Sequence, residues 1–445
     1  MIKNKKILIL GMARSGIAAA RLLSKFDNKI ILTDSKEQNK EEIEELSGLG
    51  INCIITNNQL DLLDESIDVL VKNPGIGANN EVVLKAKKLG INIINEIEAS
   101  YSLIPKSVKI IGITGSNGKT TTTTLIYEIL KKKYNNVHLA GNIGFPLSQV
   151  VENIKDNDIL VMEISDHQLC DMYEFKTNIS LLLNIVPAHL DFHGSYEIYK
   201  SMKKRIFNNH TNNDLVILNF DDKEVINLAK DIKSNKKYFS FNEEAESYIK
   251  NNCIYYQNQE IMNIDDIRIK GKHNYENILA AVTVVKQFDV ENEIISEYLK
   301  EFKGVEHRIE FVREINKRLF YNDSKATNNE ATITALKSFS KPIILIMGGL
   351  DRNMPFDDLT NYLTNVKSII SYGETKDKLE EFALKNKINN IKTNTLDEAT
   401  IIAYQESEEN DIILLSPACA SWDQFDNFEI RGNLFKKVVN EIKEK

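Results

Sequence analysis

A chain of 445 residues has room for two to four domains, and 42% apolar with 27% charged residues is the balance of an ordinary globular protein. A net charge of −8 with no long basic stripe argues against nucleic-acid binding. Four widely spaced cysteines without a CxxC pair, and no apolar run of membrane-spanning length, point to a reducing compartment, and the chain reads as cytoplasmic.

Residues 1–103 read as a small α/β domain. Strand-like runs at 6–10, 29–33, 51–55 and 68–72 alternate with helical patterns, which predicts a parallel sheet with right-handed crossovers. The short apolar run near the N-terminus reads as the first strand, not a signal peptide. It feeds Gly11-Met-Ala-Arg-Ser-Gly16, close to a dinucleotide-binding turn, and Asp34 ends the second strand where a ribose-binding acid would stand. Ala13 replaces the middle glycine, so a nucleotide fits this turn better than NAD does; a plain structural turn reads equally well. The loop Asn73-Pro-Gly-Ile-Gly77 follows the fourth strand, at the sheet end where ligands bind.

Pro105 opens the second region, 104–303. An apolar run leads into GITGSNGKTTTTT (112–124), and a helical pattern follows. Strand, glycine turn and helix suit a phosphate, because turn N–H groups and a helix N-terminus converge on one anion. The spacing differs from GxxxxGK[ST], since Ile113 stands where its first glycine would be. Lys119 can reach the β- and γ-phosphates, and Thr120 or Thr121 can offer a hydroxyl to Mg²⁺. Strands are expected at 108–113, 137–140, 158–163, 178–184 and 214–218, then small antiparallel strands within 236–270. Glu163 ends a strand as a candidate Mg²⁺ carboxylate. His189, Asp191 and His193 in NIVPAHLDFHG (184–194) are metal-ligand types on one loop. Lys203, Lys204 and Arg205 read, from charge alone, as a solvated helix face. GKHNYEN (271–277) opens an apolar helix. In 304–445, strands at 318–322, 342–347, 367–371 and 411–415 precede the loops DSKATN, GGLDR and SPACASWDQF, which would line one sheet edge.

TGSNGKTT, the strand ending in Glu163, NIVPAHLD, GKHNYEN, VEHRIE (305–310) and DSKATN occur in this order. Together they resemble the Mur ligases, three-domain ATP-dependent amide ligases of cell-wall synthesis. The closing run LSPACASWDQFDNFEIRGNLF (415–435) resembles the branch that adds D-glutamate to UDP-N-acetylmuramoyl-L-alanine. The resemblance implies a Rossmann-like N-terminal domain (1–103), a central P-loop-type ATPase domain (104–303) and a C-terminal Rossmann-like α/β domain (304–445). It implies that Gly115, Ser116, Asn117, Gly118, Lys119, Thr120 and Thr121 cradle ATP. Asn274 and Asn277 would face the adenine, with His307, Arg308 and Asp323 closing from the third domain. Thr120 and Glu163 would hold one Mg²⁺. His189 would hold a second, with Lys203 able to become a carbamate that also binds metal. Ser15, Asp34, Ser35, Lys36, Asn73, Asn142, Ser165 and Gln168 would contact the UDP substrate. Lys325, Thr327, Arg352, Ser421 and Phe428 would surround D-glutamate. One departure stands out: Asp166-His167 replaces the Ser-Phe expected after Ser165.

The reaction so implied passes through an acyl phosphate, in a protein expected to be monomeric, with a hinge near 303 closing the third domain. A folate-type polyglutamate ligase would lack the first 103 residues. A nucleotide-dependent switch would leave the three loops of the last region without a task.

Overall fold

The computed structural model describes residues 2–36, 39–351 and 355–444. The chain forms two compact units, Met1–Glu301 and Phe302–Lys445. All three sheets are α/β, as the alternation of apolar runs predicts.

The first unit holds two sheets. Strands β1 (Lys6–Leu10), β2 (Lys29–Asp34), β3 (Asn52–Ile55), β4 (Val69–Lys72) and β5 (Asn92–Ile94) form a parallel sheet of order β3-β2-β1-β4-β5. The four anticipated strands are present; β5 has only three residues, too few for a period to register.

The larger sheet runs through β6 (Lys109–Thr114), β7 (Val137–Gly141), β8 (Ile159–Glu163), β9 (Ile179–Leu182), β10 (Leu215–Asn219), β11 (Asn235–Ser240), β12 (Ser247–Lys250), β13 (Cys253–Tyr256) and β14 (Gln259–Asn263). Its order is β14-β13-β12-β11-β10-β9-β6-β8-β7. β6, β8 and β9 are buried along nearly their whole length, as their apolar runs require. The chain leaves β6 toward one side and returns after β8 to the other, so the carboxyl ends of β6, β8 and β9 flank a topological switch point, where α/β sheets bind their ligands. One expectation needs correcting in part. Within 236–270 the antiparallel pairing expected is found for β12, β13 and β14, whereas β11 lies parallel to both β10 and β12.

Buried polar bonds join the two sheets. Lys72 Nζ lies 2.6 Å from Asp171 Oδ2, with both side chains largely out of solvent. Asn95 Nδ2 donates to the Gln168 carbonyl at 2.6 Å.

The second unit is a six-stranded sheet of β15 (Glu310–Ile315), β16 (Arg318–Asn322), β17 (Ile343–Gly348), β18 (Val366–Tyr372), β19 (Asn389–Lys392) and β20 (Ile412–Leu415). Its order is β15-β16-β20-β17-β18-β19, with only β15 antiparallel. The three loops singled out in sequence leave β16, β17 and β20, which are adjacent. Among the described residues, no helix is long and apolar enough to cross a membrane.

Candidate active site

After β6 the chain turns through Gly115 to Gly118 into the helix Lys119–Lys133. Gly118 has φ +80°, a left-handed conformation that glycine adopts without strain. A Cβ there would also overlap Oδ1 of Asn277, from the helix Lys272–Val285. The turn is pinned from the exit of β9. Ser116 N donates to the Asn184 carbonyl at 2.9 Å and Asn117 N to Asn184 Oδ1 at 2.8 Å. Ser116 Oγ and the Tyr199 hydroxyl share a hydrogen bond of 2.7 Å. Lys119 Nζ folds back to donate to the carbonyls of Gly115 at 2.8 Å and Ser116 at 2.9 Å, so its charge sits over the turn. Thr120 and Thr121 are buried in the first helical turn. Asn274 lies one turn before Asn277, its Nδ2 donating to the Lys270 carbonyl at 2.9 Å.

Glu163 closes β8 and is 1% exposed. Its Oε1 accepts from Asn142 Nδ2 at 2.6 Å, while its buried Oε2 has no hydrogen-bond partner among the described residues. Leaving a carboxylate oxygen bare in the interior is costly. A cation at that oxygen removes the cost, so the residue fits Mg²⁺.

Next to it, Asp166 opens the short helix Asp166–Leu169, which Ser165 and Gln168 cap reciprocally. Asp166 Oδ1 accepts from Lys203 Nζ at 2.9 Å. Its Oδ2 stands 2.7 Å from His193 Nε2, 2.9 Å from His189 Nδ1 and 3.2 Å from His167 Nδ1. Burial alone would raise this carboxyl, but hydrogen bonds from His167 and His189, the Lys203 charge and His193 hold it well below the usual carboxylate range. Burial also works against the Lys203 ammonium, which the Asp166 charge sustains. The solvated-face reading of Lys203 is thus wrong: its side chain is 0% exposed. In the helix Tyr196–Lys204 it lies on the buried face with Tyr199. Charge counting missed this because Lys204 and Arg205 beside it are partly exposed. The ligand atoms of Asp166, His167 and His189 lie within 4.8 Å of one another, a second donor set that fits a divalent cation.

In the first sheet, Asn73 Nδ2 donates to Ser15 Oγ at 3.2 Å, joining the two loops expected to bind substrate. The Asp34 carboxylate accepts from Met12 N at 2.8 Å and Lys36 N at 3.0 Å, so it braces the Gly11–Gly16 turn. Ser35 and Lys36 are exposed beside it.

The second unit gathers its own polar cluster. Asp323 is buried; its Oδ2 accepts from Ser416 Oγ at 2.7 Å and its Oδ1 from Ile309 N at 3.2 Å. Burial pushes its carboxyl up to about 7, against the pull of that Ser416 bond and of Arg308. The His307 imidazole lies 2.9 Å from Asn322 Nδ2. Lys325 Nζ stands 5.7 Å from the Phe428 ring centroid, Ser421 is buried nearby in sequence, and Thr327 is half-buried. Arg431 was not anticipated. It is fully buried and donates to Ser324 Oγ, the Ser324 carbonyl and the Cys419 carbonyl at 3.0, 2.7 and 3.0 Å, joining two of the three loops. Arg352 lies outside the described residues, as does the side chain of Asp191.

Residues 5–95 match the MurD-like N-terminal domain of Mur ligases, 113–285 the Mur ligase middle domain and 307–419 the Mur ligase, glutamate ligase domain. A UDP-N-acetylmuramoylalanine--D-glutamate ligase of Bacillus cereus strain G9842 is 44% identical over 444 residues, 99% of this chain and 98% of that protein. The chain belongs to the Mur ligase family. A ligase of the same name from Bacillus anthracis matches this Mur ligase at the same identity and coverage. Among solved structures, UDP-N-acetylmuramate-alanine ligase from Thermotoga maritima aligns over 99% of this chain and 100% of its own, with a TM-score of 0.62 at 18% identity. MurF ligase of the same organism, in complex with ADP, aligns over 94% and 97%, with a TM-score of 0.57 at 19% identity. Both share the fold of this Mur ligase.

Proposed function

We infer that this Mur ligase joins D-glutamate to UDP-N-acetylmuramoyl-L-alanine, splitting ATP to ADP and phosphate, in peptidoglycan precursor synthesis. The observation that carries this is the 44% identity along 99% of the chain to ligases of that name. The arrangement at the ends of β6, β8 and β9 is suited to the chemistry. The alanyl carboxylate attacks the γ-phosphorus and ADP leaves with the bridging oxygen. The glutamate amine, having lost a proton, then attacks the acyl carbon, and phosphate departs as the C–O bond breaks.

In this reading Lys119 and the turn 115–121 hold the triphosphate, with Asn274 and Asn277 toward the base. Two anions must meet in the first step, and Lys119 offsets part of that repulsion. Thr120 and Glu163 would hold one Mg²⁺, and His189 belongs to the donor set for another; the ions would supply positive charge between carboxylate and phosphate. Ser15, Asp34, Ser35, Lys36 and Asn73 bind the UDP end, with Asn142, Ser165 and Gln168 nearer the reacting carboxyl. His307, Arg308 and Asp323 serve the nucleotide. Lys325, Thr327, Arg352, Ser421 and Phe428 serve the amino acid, where an arginine can grip a carboxylate with two bonds. The domains run 1–103, 104–303 and 304–445, and the enzyme works in the cytoplasm as a monomer. Four free cysteines support the reducing compartment.

Incubating the protein with ATP, UDP-N-acetylmuramoyl-L-alanine and a panel of amino acids tests this. Phosphate release and a new amide are expected with D-glutamate and not with L-glutamate. ATP hydrolysis that needs neither substrate, with no amide formed, would overturn it.

A further inference from the structure

The Asp166–Lys203 pair bears on how the second cation is held, given the ligase reading. The resemblance has Lys203 supply an anion only after its amine adds CO₂, forming an N–C bond and releasing a proton. Here the space at Nζ is already taken. Asp166 Oδ1 stands 2.9 Å from Nζ, and the two side chains are 1% and 0% exposed. A carbamate on Nζ would have to displace this carboxylate or set a second anion against it, where no water screens the pair.

Both departures at 166 and 167 bring ligand-type side chains to the same spot. Asp166 Oδ2 lies 2.9 Å from His189 Nδ1 and 3.2 Å from His167 Nδ1. Adjacent ligands around a cation with bonds of about 2.1 Å are spaced by roughly 3 Å. His193 Nε2, at 2.7 Å from the same oxygen and 2% exposed, orients the carboxylate from behind.

We propose that in this chain Asp166 takes the place of the modified lysine: Asp166, His167 and His189 hold the second divalent cation, and Lys203 stays unmodified as a positioning residue that fixes Asp166 through Oδ1. A carboxylate with two imidazoles is a mixed O/N set rather than the all-oxygen set typical of Mg²⁺, and Mn²⁺ serves as its paramagnetic probe.

Two measurements on the full-length protein test this without scoring ligation, and a third scores rescue of activity. In the first, Mn²⁺ titration followed by electron paramagnetic resonance compares the wild type with Asp166→Asn. The weaker-binding variant is expected to lose roughly tenfold or more in affinity for one of two ions. In the second, the wild type is equilibrated with ¹³C-bicarbonate, and no carbamate carbon is expected by NMR. A carbamate signal that vanishes in Lys203→Ala, or Mn²⁺ binding by Asp166→Asn equal to the wild type, would overturn the proposal. The NMR result expected of the wild type needs no variant to fold. In Lys203→Ala, added short carboxylic acids should restore no activity; restoration would point to a carbamate instead. Normal Mn²⁺ binding without any amide product would count against the ligase reading alone.

Discussion

Gly432 stands against His307: a Cβ at 432 would overlap the imidazole Nδ1. The helix Phe428–Glu441 can approach the loop 305–310 only because that side chain is missing. Gly432→Ala must push the ring away from Asn322, at a cost of about 1–3 kcal/mol for overpacking. Urea unfolding should show the loss. Steady-state kinetics should show a raised KM for ATP, since His307 belongs to the nucleotide side of the proposed site.

Gly118 and Asn277 form a second such contact. Gly118→Ala adds left-handed strain of about 1–2 kcal/mol and an overlap with Asn277 Oδ1. Calorimetric titration should find ATP affinity reduced by at least about tenfold, from the same energy. Adding Asn277→Ala should not recover it fully, because the backbone strain remains.

Lys119→Ala removes the charge held over the turn. Turnover should fall by roughly 10²–10³ or more, the scale for losing one preorganised electrostatic group. Circular dichroism should be unchanged, since the Lys119 Nζ bonds to the Gly115 and Ser116 carbonyls lie within the turn itself and brace no helix or strand.

Asp323 and Glu96 are acids whose burial raises each to about 7. Each folded group keeps a proton that the unfolded chain releases near pH 4. The folded state therefore binds more protons across that window, and stability falls as pH rises from about 4 to 7. Asp323→Asn or Glu96→Gln should flatten the decline, read as urea midpoints at pH 4.5 and 7.5. A wild-type midpoint that rises with pH, and variants of the same slope, would show both acids to be ionised in the folded protein.

Much of this molecule is legible from its residues. The strands β1, β6, β8, β17 and β20 are apolar runs bounded by turns, and the glycine turn between a strand and a helix stands where the sequence places it, at the proposed phosphate site. β5 and β19 are not legible, because β5 has only three residues and β19, Asn389-Asn-Ile-Lys392, holds a single apolar one. Lys203 shows the other limit. Its burial depends on Asp166, 37 positions away in sequence, and charge counting along one helix cannot see that partner. Arg431 was missed for the same reason, since its partners Ser324 and Cys419 come from loops after two different strands.

The account rests on a carboxyl oxygen being phosphorylated by ATP before the amine arrives. UDP-N-acetylmuramoyl-L-alanine labelled with ¹⁸O in the alanyl carboxylate tests this directly, by mass analysis of the phosphate released with D-glutamate present. One ¹⁸O atom in each phosphate is the predicted result. Phosphate carrying no label, alongside amide product, would contradict the acyl-phosphate route.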